Sequence, residues 1–168
     1  MTVIIGIDPG YSGAVAFLWP NMKLEIHDMP VLKNAKGKTE LNMHILHELL
    51  TPEGDEPHMA FIEQVAAMRG QGVSSMFRFG ETYGATQMAV AAHKIPIQYV
   101  TPAKWKGHFR LNRDKGVSRG LATQRFPDCA DLFKRVKDDG RAEAALIALY
   151  GWEALSSVTF WQKVRADG

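Results

Sequence analysis

The 168-residue sequence predicts an α/β protein built around a mixed β-sheet. Two observations carry this prediction. Three short apolar segments follow one another closely near the N-terminus, which is typical of antiparallel strands joined by turns. The rest of the chain then alternates between helical and strand patterns, which favours an α/β class over an all-β one. The length suits one domain, residues 1–168, with a sizeable core and a short tail from about residue 157.

The predicted strands come first as a meander and then singly. Each of the first three is followed by a turn or loop rich in Gly, Pro or Asn, and each is apolar or alternating. The last two lie further along the chain, between predicted helices. Together they predict a central five-stranded mixed sheet flanked by helices, with strands at residues 3–8, 14–19, 24–29, 59–65 and 96–100.

The predicted helices follow from apolar spacing and from start signals. Leu41 to Leu50 carries the apolar stripe of an amphipathic helix. Thr101 followed by Pro102 is a typical helix start, with a capping Thr and Pro in the first turn. The other predicted helices span residues 73–93, 121–126 and 139–154.

Composition excludes several classes of protein. An apolar fraction of 46% with 23% charged residues is that of an ordinary globular protein, and no apolar run approaches the roughly 20 residues that a membrane helix needs. The first residues lack the basic segment of a signal peptide. Cys129 is the only cysteine, so no intrachain disulfide and no cysteine zinc cluster can form. We therefore expect a cytoplasmic protein with no membrane partner and no small-molecule cofactor.

One basic segment lies between Lys94 and Arg119. It contains seven Lys and Arg residues with Asp114 as its only acid, and it also contains Tyr99, Trp105 and Phe109. Basic residues interleaved with aromatic ones are typical of a surface that binds nucleic acid. A solvated surface over buried aromatic side chains explains this segment equally well.

Acidic residues stand where the predicted elements should be apolar. Asp8 ends the first strand and Glu63 ends the fourth. Asp139 and Glu143 are four residues apart at the start of the last helix, so they share one helical face. Asp138 competes with Asp139, but it lies off that face. Taken alone, Asp139 is explained as a helix cap, because a helix N-terminus favours negative charge.

Together these acids predict a metal site. If the first and fourth strands are neighbours, two of the acids meet at one edge of the sheet, and a helix packed there adds the other two. Four converging carboxylates cannot all stay ionised without cations. Oxygen ligands select Mg²⁺ or Mn²⁺, and two such ions can activate a water and stabilise the leaving oxygen of a phosphodiester. The predicted chemistry is metal-dependent cleavage of nucleic acid.

Three motifs, in the order IGIDPGYSGAVAF, FIEQV and DDGRAEAALIALYG, resemble the RuvC family of Holliday-junction resolvases. These enzymes are RNase H-like nucleases related to retroviral integrases. The intervening segments GVSSMFRFGETYG and VTPAKWKGHF also resemble that family, so the similarity covers nearly the whole chain. The form DGRAEAALIA, with Trp-Lys in the basic segment, is more similar to the phage-encoded branch.

The resemblance implies a homodimeric endonuclease that cuts four-way DNA junctions. It implies two Mg²⁺ ions, replaceable by Mn²⁺, and the ligands Asp8, Glu63, Asp139 and Glu143. The family usually has Asp in the last of these places, whereas this chain has Glu, which reaches further by one methylene. Lys104 and Lys106 would join the catalytic site, and the expected DNA contacts are Met68, Arg69, Ser74, Lys104, Lys106, Arg113, Lys115 and Arg119.

One family feature is absent from the sequence. Bacterial members carry an aromatic wedge soon after the catalytic Glu, but here no aromatic residue occurs between Glu63 and Phe77. Met68 or Phe77 could take that role, although a core position explains Phe77 equally well. Ser74 is likewise explained as a helix cap. The missing wedge favours a nuclease that acts on several kinds of branched DNA.

Two other functions remain as alternatives. The opening Gly-Ile-Asp-Pro-Gly also occurs in actin-like and sugar-kinase-type ATPases, but those need a second lobe with another phosphate loop, for which 168 residues give no room. A non-catalytic DNA-binding member of the same fold is the other alternative. The presence of all four acids argues against it.

Overall fold

The computed structural model describes residues 2–52, 54, 58–66, 72–112 and 114–157. Five strands form the main sheet in the order β3-β2-β1-β6-β7, and β4 pairs with β5 in a separate hairpin. β1 is antiparallel to β2 and parallel to β6, so the predicted mixed five-stranded sheet and α/β class are confirmed. The strands are β1 (Val3–Asp8), β2 (Ala14–Leu18), β3 (Leu24–Asp28), β4 (Val31–Lys33), β5 (Thr39–Leu41), β6 (His58–Glu63) and β7 (Ile97–Val100).

The helices follow the predicted order with shifted ends. They are α1 (Met43–Leu49), α2 (Val73–Ala92), α3 (Pro102–His108), α4 (Lys115–Arg125) and α5 (Asp139–Ser156), with short 3₁₀ helices at Pro127–Phe133 and Val136–Asp138. The predicted start of α4 at residue 121 is wrong. The Asp114 side chain accepts a hydrogen bond from the Gly116 N–H at 2.8 Å and caps the helix earlier. None of the helices in the described residues is long and apolar enough to cross a membrane.

The β4–β5 hairpin was not predicted from the sequence. Its turn is built by the Asn34 side chain, which accepts hydrogen bonds from the N–H groups of Lys36 and Lys38 at 2.9 and 3.0 Å. Gly37 adopts a φ of 72°, which suits a residue without a side chain. Each strand has only three residues and β4 is exposed, so no apolar pattern marks the pair.

Hydrophobic residues fill both sides of the main sheet. On one side, Ile4 and Phe61 pack with the buried residues of α5. On the other side, Val3, Ile5 and Ile7 pack with apolar residues of α1 and α2. This alternation along β1 follows from the two-residue period of a strand. β1 is therefore covered on both sides, and Asp8 ends a strand that is otherwise core.

Small residues let α5 lie directly on the sheet. A Cβ at Gly6 would overlap the backbone of Ala144 and Ala148, so only glycine allows this approach. A Cβ at Gly140 would overlap the backbone of Ser12, which lies in the turn after β1. These two contacts hold the first turns of α5 against the end of β1. They determine where the acidic residues of the helix lie.

Candidate active site

The pairing of β1 with β6 brings two acidic residues to one edge of the sheet. The strands run parallel, and Ile7 pairs with Ile62, so Asp8 and Glu63 are the next residues on adjacent strands. α5 crosses the same strand end, and its Glu143 is close enough to raise the pKa of both other carboxyl groups. The structure thus brings together three of the four predicted acidic ligands.

Asp8 is a half-buried acid at the end of a buried strand, and its charge has little compensation from the protein. Burial raises the pKa of Asp8 to about 7, and the charges of Glu143 and Glu63 contribute to the rise. Its only hydrogen bond among the described residues is a 3.3 Å contact from the Gly10 N–H to Oδ1. The charge of Lys115 acts in the opposite direction but is the smallest contribution. This site therefore favours either a proton or a cation.

Glu63 is held by a side chain that the sequence did not single out as an acid partner. The indole Nε1 of Trp105 donates a hydrogen bond to Oε1 of Glu63 at 2.8 Å. Burial raises the pKa of Glu63, and the Trp105 bond opposes this rise. Trp105 has 0% of its surface exposed, so it cannot stack on a nucleic-acid base. For Trp105, the alternative of a buried aromatic under a basic surface is the right one.

Glu143 of α5 forms an ion pair with Lys106 of α3, the residue that follows Trp105. Lys106 Nζ lies 2.9 Å from Oε1 of Glu143, and Glu143 is only 7% exposed. The same ammonium lies 5.0 Å from the ring centroid of Trp105. Lys106 is therefore within the acidic cluster, whereas Lys104 is exposed on α3.

Asp139 lies beside two basic residues from α4. Arg119 Nη1 forms an ion pair and a hydrogen bond with Oδ1, and Lys115 Nζ is 4.0 Å from Oδ2. The charge of Lys115 also lowers the pKa of Asp8 and Glu63. The positive charge of Lys115 therefore acts on Asp139 and on the other two acids. Arg119 is already paired with the Asp139 carboxylate.

Asp138 serves the fold instead. It is 1% exposed and accepts hydrogen bonds from the backbone N–H and the guanidinium of Arg135, both at 2.9 Å. The Arg135 hydrogen bond holds the pKa of Asp138 below its usual range. Arg141, 3.6 Å from Asp138, also binds Asp28 through two bonds of 2.5 and 2.6 Å. Of the two neighbouring acids, Asp139 is the one that faces the basic residues of α4.

Within the described ranges, no group of three acidic, His or Cys side chains forms a ready metal-binding cluster. Lys106 and Arg119 instead neutralise Glu143 and Asp139. The residues nevertheless fit a divalent cation. All four predicted ligands offer hard carboxylate oxygens, and the pKa of Asp8 is raised first by burial and then by the charges of Glu143 and Glu63.

Of the remaining predicted DNA contacts, Met68, Arg69 and Arg113 lie outside the described residues. Ser74 is exposed in the first turn of α2, but the N-cap is Gly72, so the alternative of a capping role for Ser74 is wrong. Phe77 is 68% exposed, so the alternative that places it in the core is also wrong.

Trp105 is the site residue whose contact with Glu63 the sequence analysis missed, since that analysis left open whether its side chain is buried or binds nucleic acid. A usable signal was present. Thr101 follows β7 directly and caps α3, and a residue four positions later lies one turn on, with its side chain directed back towards the strand end. Val100 pairs with Glu63, so that direction leads to the acid.

No protein-family model matches the chain, and no curated protein sequence matches it. Among solved structures, Thermus thermophilus RuvC in complex with a Holliday junction substrate is similar. It has a TM-score of 0.55 and 16% identity over 89% of this chain and 92% of that one. The chain has a RuvC-like fold. A second Thermus thermophilus RuvC structure matches with a TM-score of 0.49 and 18% identity over 88% of this chain and 92% of that one. In this chain the acidic cluster lies at the end of the parallel β1–β6 pair of that fold.

Proposed function

We propose that this protein is a Mg²⁺-dependent endodeoxyribonuclease that cuts four-way junctions and other branched DNA. One observation carries the proposal: Asp8, Glu63 and Glu143 meet at the end of β1 and β6, where burial and mutual repulsion raise the pKa of Asp8 to about 7. A fold gains no stability from such a cluster. Cation-dependent chemistry explains why it is there.

The substrate class rests on the fold and on charge. The solved structure with a TM-score of 0.55 is a RuvC bound to a Holliday junction, which supports branched DNA as the ligand. Lys104 and Lys115 are exposed on α3 and α4, and Lys115 Nζ lies 4.0 Å from Asp139. Exposed ammonium groups there suit contacts with phosphates of the DNA backbone.

We assign the metal ligands to the four predicted carboxylates. Asp8, Glu63, Asp139 and Glu143 would hold two Mg²⁺ ions, and Mn²⁺ would substitute because it prefers the same ligands. When bound, these ions supply an activated water and charge neutralisation at the leaving oxygen. Lys106 and Arg119 hold Glu143 and Asp139 before metal binds, and both side chains are then positioned to pair with phosphate oxygens.

We further propose a homodimer, because symmetric incision of a four-way junction needs two active sites related by a two-fold axis. The missing aromatic wedge supports a broader substrate range than four-way junctions alone. Phe77, 68% exposed in the early part of α2, is the described aromatic residue that we propose for contact with unstacked bases. Met68, which lies outside the described residues, stays the other predicted candidate.

The test compares DNA structures under defined metal conditions. Purified protein is incubated with a four-way junction, a replication fork, a flap and a linear duplex of the same sequence, in Mg²⁺, Mn²⁺ or EDTA. We expect cleavage of the branched substrates in both metals and none in EDTA. Intact branched substrates in both metals would contradict the nuclease assignment. Cleavage confined to the four-way junction would contradict the broader range, and sedimentation analysis tests the dimer.

A further inference from the structure

We propose that Trp105 is a positioning residue that fixes one oxygen of Glu63 for metal binding. The proposal rests on the proposed function and adds a residue to it. The Trp105 indole is a neutral N–H donor that keeps its proton at physiological pH. It can therefore hold a carboxylate oxygen without neutralising the negative charge that attracts a metal ion. Its hydrogen bond to Glu63 Oε1, at 2.8 Å, is the central observation.

The local sequence explains how the indole reaches this acid. β6 and β7 pair in parallel with Glu63 opposite Val100, and the Gln64 N–H extends the pairing to the Val100 carbonyl at 2.7 Å. Thr101 then caps α3 at once, with its side chain accepting from the Lys104 N–H. Trp105 lies one turn into that helix, so its side chain points back over the strand end that carries Glu63.

The surroundings hold the indole in one orientation. Trp105 is completely buried and belongs to the same hydrophobic core as Val100 and Phe61. A side chain locked by packing keeps its donor in place without further ordering. Among the described residues, no side chain donates a hydrogen bond to the other oxygen of Glu63, Oε2, so the bond divides the carboxylate into a held oxygen and an available one.

The next residue of α3 acts on the second acid in the same way. Lys106 Nζ is 2.9 Å from Oε1 of Glu143, and it lies 5.0 Å from the Trp105 ring centroid. One short helix therefore supplies neighbouring donors to Glu63 and Glu143. The two donors differ in kind: the ammonium can move to a phosphate, whereas the buried indole stays with its carboxylate.

The experiment removes the donor and keeps the shape. Trp105 is replaced by 3-benzothienylalanine, in which sulfur stands in place of the indole N–H, through amber suppression. The same replacement at Trp152, which is half-buried against the same core, is the matched control. Trp105→Phe serves as a second variant. Each protein is measured by calorimetric titration with Mg²⁺ alone, by cleavage kinetics on a four-way junction and by urea unfolding.

We expect the Trp105 replacement to weaken Mg²⁺ binding by about 10- to 100-fold and to lower kcat by a similar factor, with KM for the junction within about twofold. Trp105→Phe should show the same pattern, and the Trp152 control should match wild type. If the Trp105 replacement keeps wild-type Mg²⁺ affinity and kcat, the positioning role is overturned, even where urea unfolding shows a loss of stability. If wild type itself neither binds Mg²⁺ nor cleaves branched DNA, the proposed function is overturned together with this role.

Discussion

Asp138 is buried and Asp8 is half-buried, yet the better-buried acid is the one whose negative charge the protein stabilises. Asp138 is 1% exposed and receives hydrogen bonds from the backbone and guanidinium of Arg135, with Arg141 also close. Asp8 receives one long hydrogen bond and faces two other carboxylates. Their pKa values move apart accordingly, below the usual range for Asp138 and up to about 7 for Asp8. A structural acid is balanced within the chain, whereas Asp8 needs a partner from outside it.

The largest expected effect is on activity when Asp8 changes. Asp8→Asn keeps the side-chain shape but removes the charge and one metal-binding oxygen. We expect cleavage of a four-way junction to fall at least about 1,000-fold, because the carboxylates act as one unit. Single-turnover kinetics in saturating Mg²⁺ measure this loss. A rate near that of wild type would show that Asp8 is not a ligand, and the contrast with Asp138 would lose its functional meaning.

The second effect is on the cleavage rate when Lys106, whose ammonium neutralises Glu143 in the metal-free protein, is changed. Lys106→Met keeps the length of the side chain and removes the ammonium 2.9 Å from Glu143. We expect the cleavage rate to fall by about 100-fold through lost electrostatic stabilisation of phosphate. Lys104→Met, at an exposed position on the same helix, is the control and should cost much less. Equal losses in the two variants would contradict a special position for Lys106.

The third effect is on stability and depends on pH. Asp8 has a pKa of about 7 in the folded protein against an ordinary value of 3.8, so the folded state binds a proton that the unfolded state lacks between these values. The ionised form therefore destabilises the fold increasingly as pH rises through this window, and the full cost applies above pH 7. Without metal, Asp8→Asn should raise the free energy of unfolding on the order of 2 kcal/mol at pH 8, and by less at pH 5.

Urea unfolding at the two pH values checks this expectation. Adding Mg²⁺ at pH 8 should stabilise wild type and leave Asp8→Asn nearly unchanged, because a ligand stabilises only the state that binds it. A variant less stable than wild type at pH 8 would show that Asp8 is balanced inside the fold, as Asp138 is.

The smallest effect is expected at Asp138 itself. Asp138→Ala removes the acceptor for the Arg135 backbone and side chain, which should cost about 1 kcal/mol of unfolding free energy because Arg135 is exposed to solvent. Cleavage in Mg²⁺ should stay within about twofold of wild type. A large loss of activity with unchanged stability would place Asp138 among the metal ligands and reverse the comparison.

Much of the architecture could be predicted from local pattern. The five strands of the main sheet and the long helices were predicted because their apolar residues recur at strand or helix spacing. The β4–β5 hairpin and the early start of α4 were missed. Both depend on single side chains, Asn34 and Asp114, that bind nearby backbone N–H groups and leave no periodic signal.

The site could be predicted in part. That Asp8 and Glu63 would be adjacent followed from strand pairing, and the structure has this pairing. The sequence could not show that Asp138 binds Arg135 or that Trp105 binds Glu63. The first contact depends on a 3₁₀ turn before α5, and the second joins residues that are 42 positions apart. Such contacts are decided by three-dimensional packing.

The glycine at position 6 sets a dimension of the proposed metal site. Because the backbone of α5 rests on β1 without an intervening side chain, the helix cannot move closer to the strand. The separation of Asp8 from the α5 backbone is therefore constant, and the length of the side chain at position 143 alone decides how far its carboxylate extends across that gap. Glu143 carries its carboxylate one methylene further from that backbone than an aspartate would.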